Sequence, residues 1–457
     1  MENRQRTKLE RGLAYLPVTL TLLGILTFSI LFFATPHRSI SEMENRSLAK
    51  LPTYQNSSLL DGLYCDSLNA YFSDHFPLRD TLMGFSFEWK RTRGIRSGEI
   101  AIYRNMGLTD TAMVADTILS DTLSDSIGPE NQEGDLLGSG LFIYNGMALQ
   151  LFGGSTGMAK YYASTINKYV AELKGTVTIY NIVFPTPAEF YLPDEYRHMS
   201  KPEKPNIDLI NASLDPSVKV VDAYSEFKAH QNEYLFYRTD HHATVMGGYY
   251  NYVAFCKTAG FTPMDLKTLQ RKYKKNYLGS LYSMTHDSRL RDNPDTVFYY
   301  IIPGTYKTSI YYEGDQTRPI KSHLLVESSN GYGVFLGGDS PLLKVETGNN
   351  NGRRVLVVKN SYGNSFVPFL VPHFEQVYAV DYRSFNLGLL KFIVDNDITD
   401  LIFINCSLLA NAKWHTQNIN RIMYRSNEKV EIESDSTSNE LPKDSVIIQK
   451  ADSVQQK

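Results

Sequence analysis

Residues 354–370, RVLVVKNSYGNSFVPFL, join a short apolar run to an Asn360-Ser361 turn and then to a second apolar run. A run of this length, rich in valine and bounded by turn residues, predicts a buried strand, and the run after the turn predicts a helix start. Ser361 then falls at the carboxyl end of a strand. A hydroxyl there is exposed on a tight turn, and the backbone amides that follow can stabilise an oxyanion, which is the geometry a serine nucleophile requires. The same residue can instead be a helix N-cap, a position that Ser and Asn both favour.

The strand pattern recurs in TVTIYNIVF (176–184), VKVVD (218–222), VFYYII (297–302), QVYAVD (376–381) and DLIFIN (400–405). Helical candidates at 159–173, 242–258, 364–371 and 385–396 lie between several of these runs. Such alternation predicts an α/β domain with a mainly parallel sheet covered on both faces. Working groups in such a sheet collect at the carboxyl ends of the strands.

A nucleophilic serine needs a base, and the base needs a partner that fixes its tautomer. YRTDHHATVMGGYY, residues 237–250, offers both. If Thr239–His242 is extended, Asp240 and His242 project to one side and His241 to the other. Asp240 can alternatively cap a helix beginning near Ala243. A metal site is a third reading, but the H-x-x-x-H spacing is missing, so neither a metal nor a cofactor is expected.

The chain of 457 residues is 42% hydrophobic, enough for a sizeable core, and its formal net charge of -3 gives no field that would favour nucleic acid. Residues 16–34, LPVTLTLLGILTFSILFFA, are uncharged and long enough to cross a bilayer, while Arg4, Arg6, Lys8 and Arg11 precede them. The expectation is an uncleaved anchor at 16–34, a cytoplasmic N-terminus at 1–15, and everything after Ala34 outside; a cleaved signal peptide is the rival. Three cysteines rule out a disulfide framework. A linker and docking segment is expected at 35–104, including YFSDHFPLRD (71–80). An acidic, flexible insertion is expected at 105–140, where 105–159 holds no Lys or Arg, and a disordered tail at 426–457. The catalytic body is then 141–425.

TDHHATVMGGYYNYVAFCKTAG (239–260), KNSYGNSFVPFL (359–370), ENRSLAKLP (44–52) and YFSDHFPLRD together resemble the DHHW-type proteins, related to the alginate O-acetyltransferase branch of the SGNH (GDSL-like) hydrolase superfamily. The resemblance spans roughly residues 41–425 and implies a three-layer α/β sandwich. It also implies a triad in which Asp240 orients His242 and Ser361 is the nucleophile. Two departures stand out. Ala243 occupies the position where the family name implies Trp, which would enlarge a pocket, and Asn360 precedes the serine where Asp is common. In FLGGDS (335–340), Gly338 is a candidate oxyanion amide beside that of Tyr362, while Asp339 replaces an Asn and cannot donate as an ionised side chain.

What the resemblance implies chemically is acyl transfer through a serine ester to a polysaccharide hydroxyl, in the periplasm or an equivalent space outside the cytoplasmic membrane. Acetyl-CoA is absent there, so the acyl donor would be a multi-spanning membrane acyltransferase partner. A carbohydrate acetyl-esterase with the same triad, or a non-catalytic glycan-binding protein, are the competing readings. Arg383 in AVDYRSF can meet an anionic glycan or make a local ion pair.

Overall fold

The computed structural model describes residues 140–312, 318–329 and 331–424, together with N-terminal pieces at 2–36, 40–41, 46–53, 63–79, 81–82, 85, 89 and 100–104. Nearly all of the acidic stretch expected at 105–140, and the tail expected at 426–457, lie outside the described residues.

Among the described residues, the helices α1 (Glu2–Ala34) and α2 (Leu63–Asp74) precede the body. Within α1, Tyr15–Ala34 is long and apolar enough to cross a membrane, and of its side chains only that of Phe32 is buried. A small antiparallel sheet follows, made of β1 (Ile100–Arg104), β2 (Gly140–Tyr144) and β3 (Met147–Gln150). The body therefore recruits a strand from before the acidic stretch.

The main chain then runs through α3 (Thr156–Leu173), β4 (Thr178–Phe184), α4 (Glu203–Ser213), β5 (Lys219–Val221), α5 (Ala223–Ala229) and α6 (Val245–Ala259). After these come β6 (Arg271–Tyr277), α7 (Ser280–Thr285), β7 (Asp295–Tyr300), β8 (Tyr306–Tyr311), β9 (Ile320–Ser322) and β10 (Leu342–Thr347). The last elements are β11 (Arg354–Lys359), β12 (Gln376–Asp381), α8 (Leu389–Asp395), β13 (Asp400–Cys406) and α9 (Lys413–Arg421).

Eight strands form the central sheet in the order β9-β8-β10-β12-β11-β13-β4-β5. The half from β12 to β5 is parallel, and β10, β8 and β9 extend it antiparallel. Side chains alternate along β11 between two cores: Val355 and Val357 face one, Leu356 and Val358 the other. Phe227 and Phe255 of α5 and α6 cover the first face. Tyr162 and Ile166 of α3, Ile210 of α4, Phe392 of α8 and Ile419 of α9 cover the second. The result is the expected three-layer α/β sandwich.

Two elements differ from the sequence reading. VFYYII is not part of the central sheet; β7 pairs antiparallel with the charged RKYKKNY strand, β6. The helix expected at 364–371 is instead a 3-10 stretch, Val367–His373, with prolines at 368 and 372, because proline withholds the amides that an α-helix would use.

Candidate active site

The segment that carries Asp240 is a loop pinned at its neck. Tyr237 N–H donates to the His242 carbonyl at 3.3 Å and Thr244 N–H to the Leu235 carbonyl at 2.8 Å, so 235–244 closes like a hairpin before α6. Thr244, not Asp240, caps α6: its hydroxyl accepts from Met246 N–H at 3.1 Å. The buried Asp295 carboxylate holds the loop from below, accepting from Arg238 N–H at 2.9 Å, from Thr239 N–H at 2.8 Å and from the Thr239 hydroxyl at 2.6 Å.

With capping assigned elsewhere, Asp240 is free to act on histidine. Its Oδ1 accepts from His242 Nδ1 at 2.6 Å and from His242 N–H at 2.9 Å; its Oδ2 accepts from the Tyr277 hydroxyl at 2.8 Å and Ser280 N–H at 2.9 Å. Gly279 makes that approach possible, since a Cβ there would lie 2.2 Å from the Asp240 Cβ. Burial drives the Asp240 carboxyl up, but the imidazoles of His242 and His241 and these hydrogen bonds outweigh it and hold it well below the ordinary carboxylate range.

His241 does not point away as an extended segment would require. Asp240 accepting from the amide two residues on bends the chain, and the two imidazoles lie with centroids 3.8 Å apart, tilted by 39°. His241 Nδ1 hydrogen-bonds the Ser280 hydroxyl. Burial, and then the neighbouring His242, push its imidazole down to about 3, so it is neutral at physiological pH.

On the facing side, Ser361 lies just beyond the carboxyl end of β11, separated from it by Asn360, and opens a 3-10 turn, Ser361–Gly363. Asn360 caps that turn, its Oδ1 accepting from Tyr362 N–H at 3.1 Å. Tyr332 joins the two halves of the site: its ring stacks on the His242 imidazole at 3.9 Å and 8°, and its hydroxyl donates to the Ser361 carbonyl at 2.9 Å. The Tyr362 ring lies 5.1 Å from both imidazoles. His242 Nε2 is buried without a hydrogen-bond partner, as are His241 Nε2 and Asn360 Nδ2, so Ser361 and His242 share no hydrogen bond. Both are nearly enclosed, at 8% and 6% exposure.

The two candidate oxyanion amides are engaged in local turns. Gly338 sits at φ +100 and its N–H donates to the Phe335 carbonyl at 3.2 Å, while the Tyr362 amide serves the Asn360 cap. Asp339 is an ion-pair centre. It meets Lys359 Nζ at 3.4 Å, Asn364 Nδ2 at 3.0 Å and the Arg383 guanidinium. Arg383 is also clamped on Asp381, so it makes local ion pairs. Ala243 is buried beside Gly247 and bridges to Phe236, so it packs in the core.

Asp240, His241 and His242 offer ligand atoms within 4.8 Å of one another. Each Asp240 oxygen already takes two hydrogen bonds and His242 Nδ1 faces one of them. Two imidazole nitrogens remain, fewer than the three protein ligands of a catalytic zinc. A cleft of about 610 Å³ lies elsewhere, lined by Tyr306, Lys307, Lys321, His323 and Glu327, and touches none of these residues.

Sequence reasoning missed Asp295, Tyr277 and Tyr332. A Tyr-rich chain hides the two tyrosines, because nothing in a single sequence separates a tyrosine that touches a carboxylate from one that fills a core.

A central, largely parallel sheet with a buried carboxylate–imidazole pair beside a serine at a strand's carboxyl end defines an SGNH-like α/β protein. A family model described as "DHHW protein" matches residues 103–380, more than half of the sequence, and the chain belongs to that family. Among solved structures, it is similar to a DHHW family protein from Eubacterium siraeum, with 33% identity and a TM-score of 0.57 over 63% of this chain and 96% of that one. It is also similar to Bacillus cereus PatB1, with 19% identity and a TM-score of 0.51 over 60% of this chain and 98% of that one. PatB1 has also been solved with a sulfonyl adduct, a structure matched at 18% identity and a TM-score of 0.50 over 61% of this chain and 97% of that one. No curated protein matches the chain.

Proposed function

We propose that the protein is a membrane-anchored serine acyltransferase that O-acetylates a polysaccharide outside the cytoplasm. His242 Nε2 takes the Ser361 hydroxyl proton as Oγ attacks the acyl carbonyl, and the donor's leaving group departs with a proton returned by the imidazole. A glycan hydroxyl then attacks the acyl-serine, giving its proton to His242, which passes it to Ser361 Oγ as the acyl–oxygen bond breaks. Asp240 holds the imidazole's tautomer and offsets its charge when it is protonated. The observation that carries this reading is the buried Asp240–His242 pair at 2.6 Å with its outer nitrogen unpartnered, next to the turn that bears Ser361. A buried polar atom without a partner is uncommon and calls for one.

The serine and histidine are almost fully enclosed, so an acceptor glycan that opens and fills the site would displace the water that otherwise hydrolyses the acyl-enzyme. The apolar stretch at 15–34 supports anchoring, with the basic residues before it on the cytoplasmic side. A multi-spanning acyltransferase partner would supply the acyl group.

The test is to incubate the full chain with an acetyl ester donor and candidate glycans, following both acetylated glycan and free acetate. Transfer that disappears in Ser361→Ala is the expected result. Acetate release without transfer would identify an esterase, and unchanged cellular polymer acetylation in Ser361→Ala would identify a non-catalytic role.

A further inference from the structure

We propose that His241 is a further catalytic residue of the same site: its Nε2–H is the donor that meets the negative charge arising on the acyl carbonyl oxygen when Ser361 attacks. This rests on the reading of Ser361 as the nucleophile. As Oγ bonds to the carbonyl carbon, the π electrons of the C=O bond move onto oxygen, and a buried oxyanion needs a donor already aimed at it. The expected donors are occupied. The Gly338 amide donates to the Phe335 carbonyl and the Tyr362 amide to Asn360 Oδ1, while Asp339, ion-paired with Lys359 and Arg383, has no proton to give. His241 Nε2, by contrast, is buried without a hydrogen-bond partner.

The two imidazoles are fastened at their Nδ1 ends to one cluster. His242 Nδ1 meets Asp240 Oδ1 at 2.6 Å, and His241 Nδ1 meets the hydroxyl of Ser280, whose amide donates to Asp240 Oδ2 at 2.9 Å. With the ring centroids 3.8 Å apart, both Nε2 atoms are turned from that cluster, and both lack a partner. The Tyr362 ring lies 5.1 Å from each imidazole, so His241 is as near as the base to the residue that follows the nucleophile. The tautomer follows from Ser280. Its hydroxyl has no other acceptor among the described residues, so its proton is satisfied when His241 Nδ1 accepts it, and the ring's own proton then sits on Nε2. His242 carries its proton on Nδ1, facing Asp240, which leaves a lone pair on its Nε2; an N–H beside that lone pair is attracted where a second lone pair would be repelled. Burial, and then His242, hold the His241 imidazole neutral at physiological pH. A neutral imidazole can stabilise a developing oxyanion by hydrogen bonding without giving up its proton.

The test acylates the full chain with a chromogenic acetyl ester and with its thionoester, in which sulfur replaces the carbonyl oxygen. Sulfur is a weak acceptor, so a donor that acts on the oxyanion speeds the ester selectively. His241→Phe keeps a ring beside His242 and removes the donor. The expected result is acylation by the ester slowed about 10²-fold with KM unchanged, a thionoester rate near that of wild type, and partial recovery with the ester in His241→Gln, whose amide can donate. Equal slowing with both substrates means that His241 only positions the base, and overturns the proposal, as does an unchanged ester rate. Asn360 Nδ2 is also buried and unpartnered, and Asn360→Asp removes that donor while keeping the acceptor that caps Tyr362. An ester-selective loss there with none in His241→Phe gives the role to Asn360 and overturns the proposal too. Ser280→Ala releases His241 Nδ1 while leaving the amide on Asp240, and reads the same effect should His241→Phe not fold: a smaller ester-selective loss is expected, and its absence counts against the proposal. A wild type that is never acylated at Ser361 defeats the serine reading and this assignment together, whereas acylation of Ser361 without the selective loss defeats this assignment alone.

Discussion

Asp240 and Glu203 are both buried carboxylates near the working edge of the sheet, and their surroundings push them in opposite directions. Asp240 faces two imidazoles, a tyrosine hydroxyl and two amides, and stays ionised. Glu203, in the first turn of α4, accepts from Thr186 N–H at 2.8 Å and from the hydroxyls of Thr186 and Ser407, and makes no ion pair among the described residues. Burial pushes its carboxyl up to about 7, against those hydrogen bonds and with help from the charge of Glu189. Burial alone assigns no role; the partners do. A permanently charged carboxylate can offset an imidazolium, whereas one that titrates near neutrality is a pH-sensitive strut between α4 and the ends of β4 and β13.

The sharpest way to break this contrast is by substitution at the two acids. Asp240→Asn should slow acylation of Ser361 by about 10³–10⁴-fold, because the amide cannot fix the tautomer or offset the charge. Glu203→Gln should stay within about tenfold of wild type. Burst kinetics with a chromogenic acetyl ester measure both, and equal losses would erase the distinction.

The second effect is on stability. The folded protein keeps the Glu203 proton up to about pH 7, while the unfolded chain releases it near an ordinary 4.5. The stabilisation from this group is therefore full below pH 4.5, declines as pH rises through that window, and is gone above it. Its size is about 3 kcal/mol. Denaturant unfolding of wild type and Glu203→Gln across this range should show wild type losing about that much relative to the variant. Parallel curves would contradict the account. His241, pushed down to about 3, works in the other direction and destabilises the fold as pH falls below 6.5. The comparison with the variant removes that contribution.

Two tyrosines sharpen the Asp240 side. Tyr332→Leu removes both the stack on His242 and the hydrogen bond to the Ser361 carbonyl and should cost about 10²-fold in acylation rate, with little change in donor KM. Tyr332→Phe keeps the stack and should recover most of the rate. Tyr277→Phe removes one of the four hydrogen bonds to Asp240 and should cost about 1–2 kcal/mol in the acylation barrier. Equal behaviour of Tyr332→Phe and Tyr332→Leu would show that the ring stack has no positioning role.

Much of the architecture was legible because burial on both faces writes itself as apolar runs. VLVV, QVYAVD and DLIFIN are the central parallel strands β11, β12 and β13. The antiparallel strands β8, β9 and β10 were not legible: YKTSIY, IKS and LLKVET carry lysines and hydroxyls on half-exposed faces. At the site, the Asp-x-His spacing was readable, but its geometry was not. An extended segment and a bend both bring Asp240 to His242, and only the bend keeps His241 in the cluster. The capping alternatives were likewise open in the sequence. Thr244, four residues after Asp240, and Asn360, next to Ser361, take those roles.

The central claim is that His242 activates Ser361. Exposing the folded full chain to a sulfonyl fluoride or an acetyl ester at neutral pH, followed by peptide mapping, tests it directly. The account predicts covalent modification at Ser361 in wild type and its loss in His242→Ala. An unmodified Ser361, or one modified equally in both proteins, would contradict it.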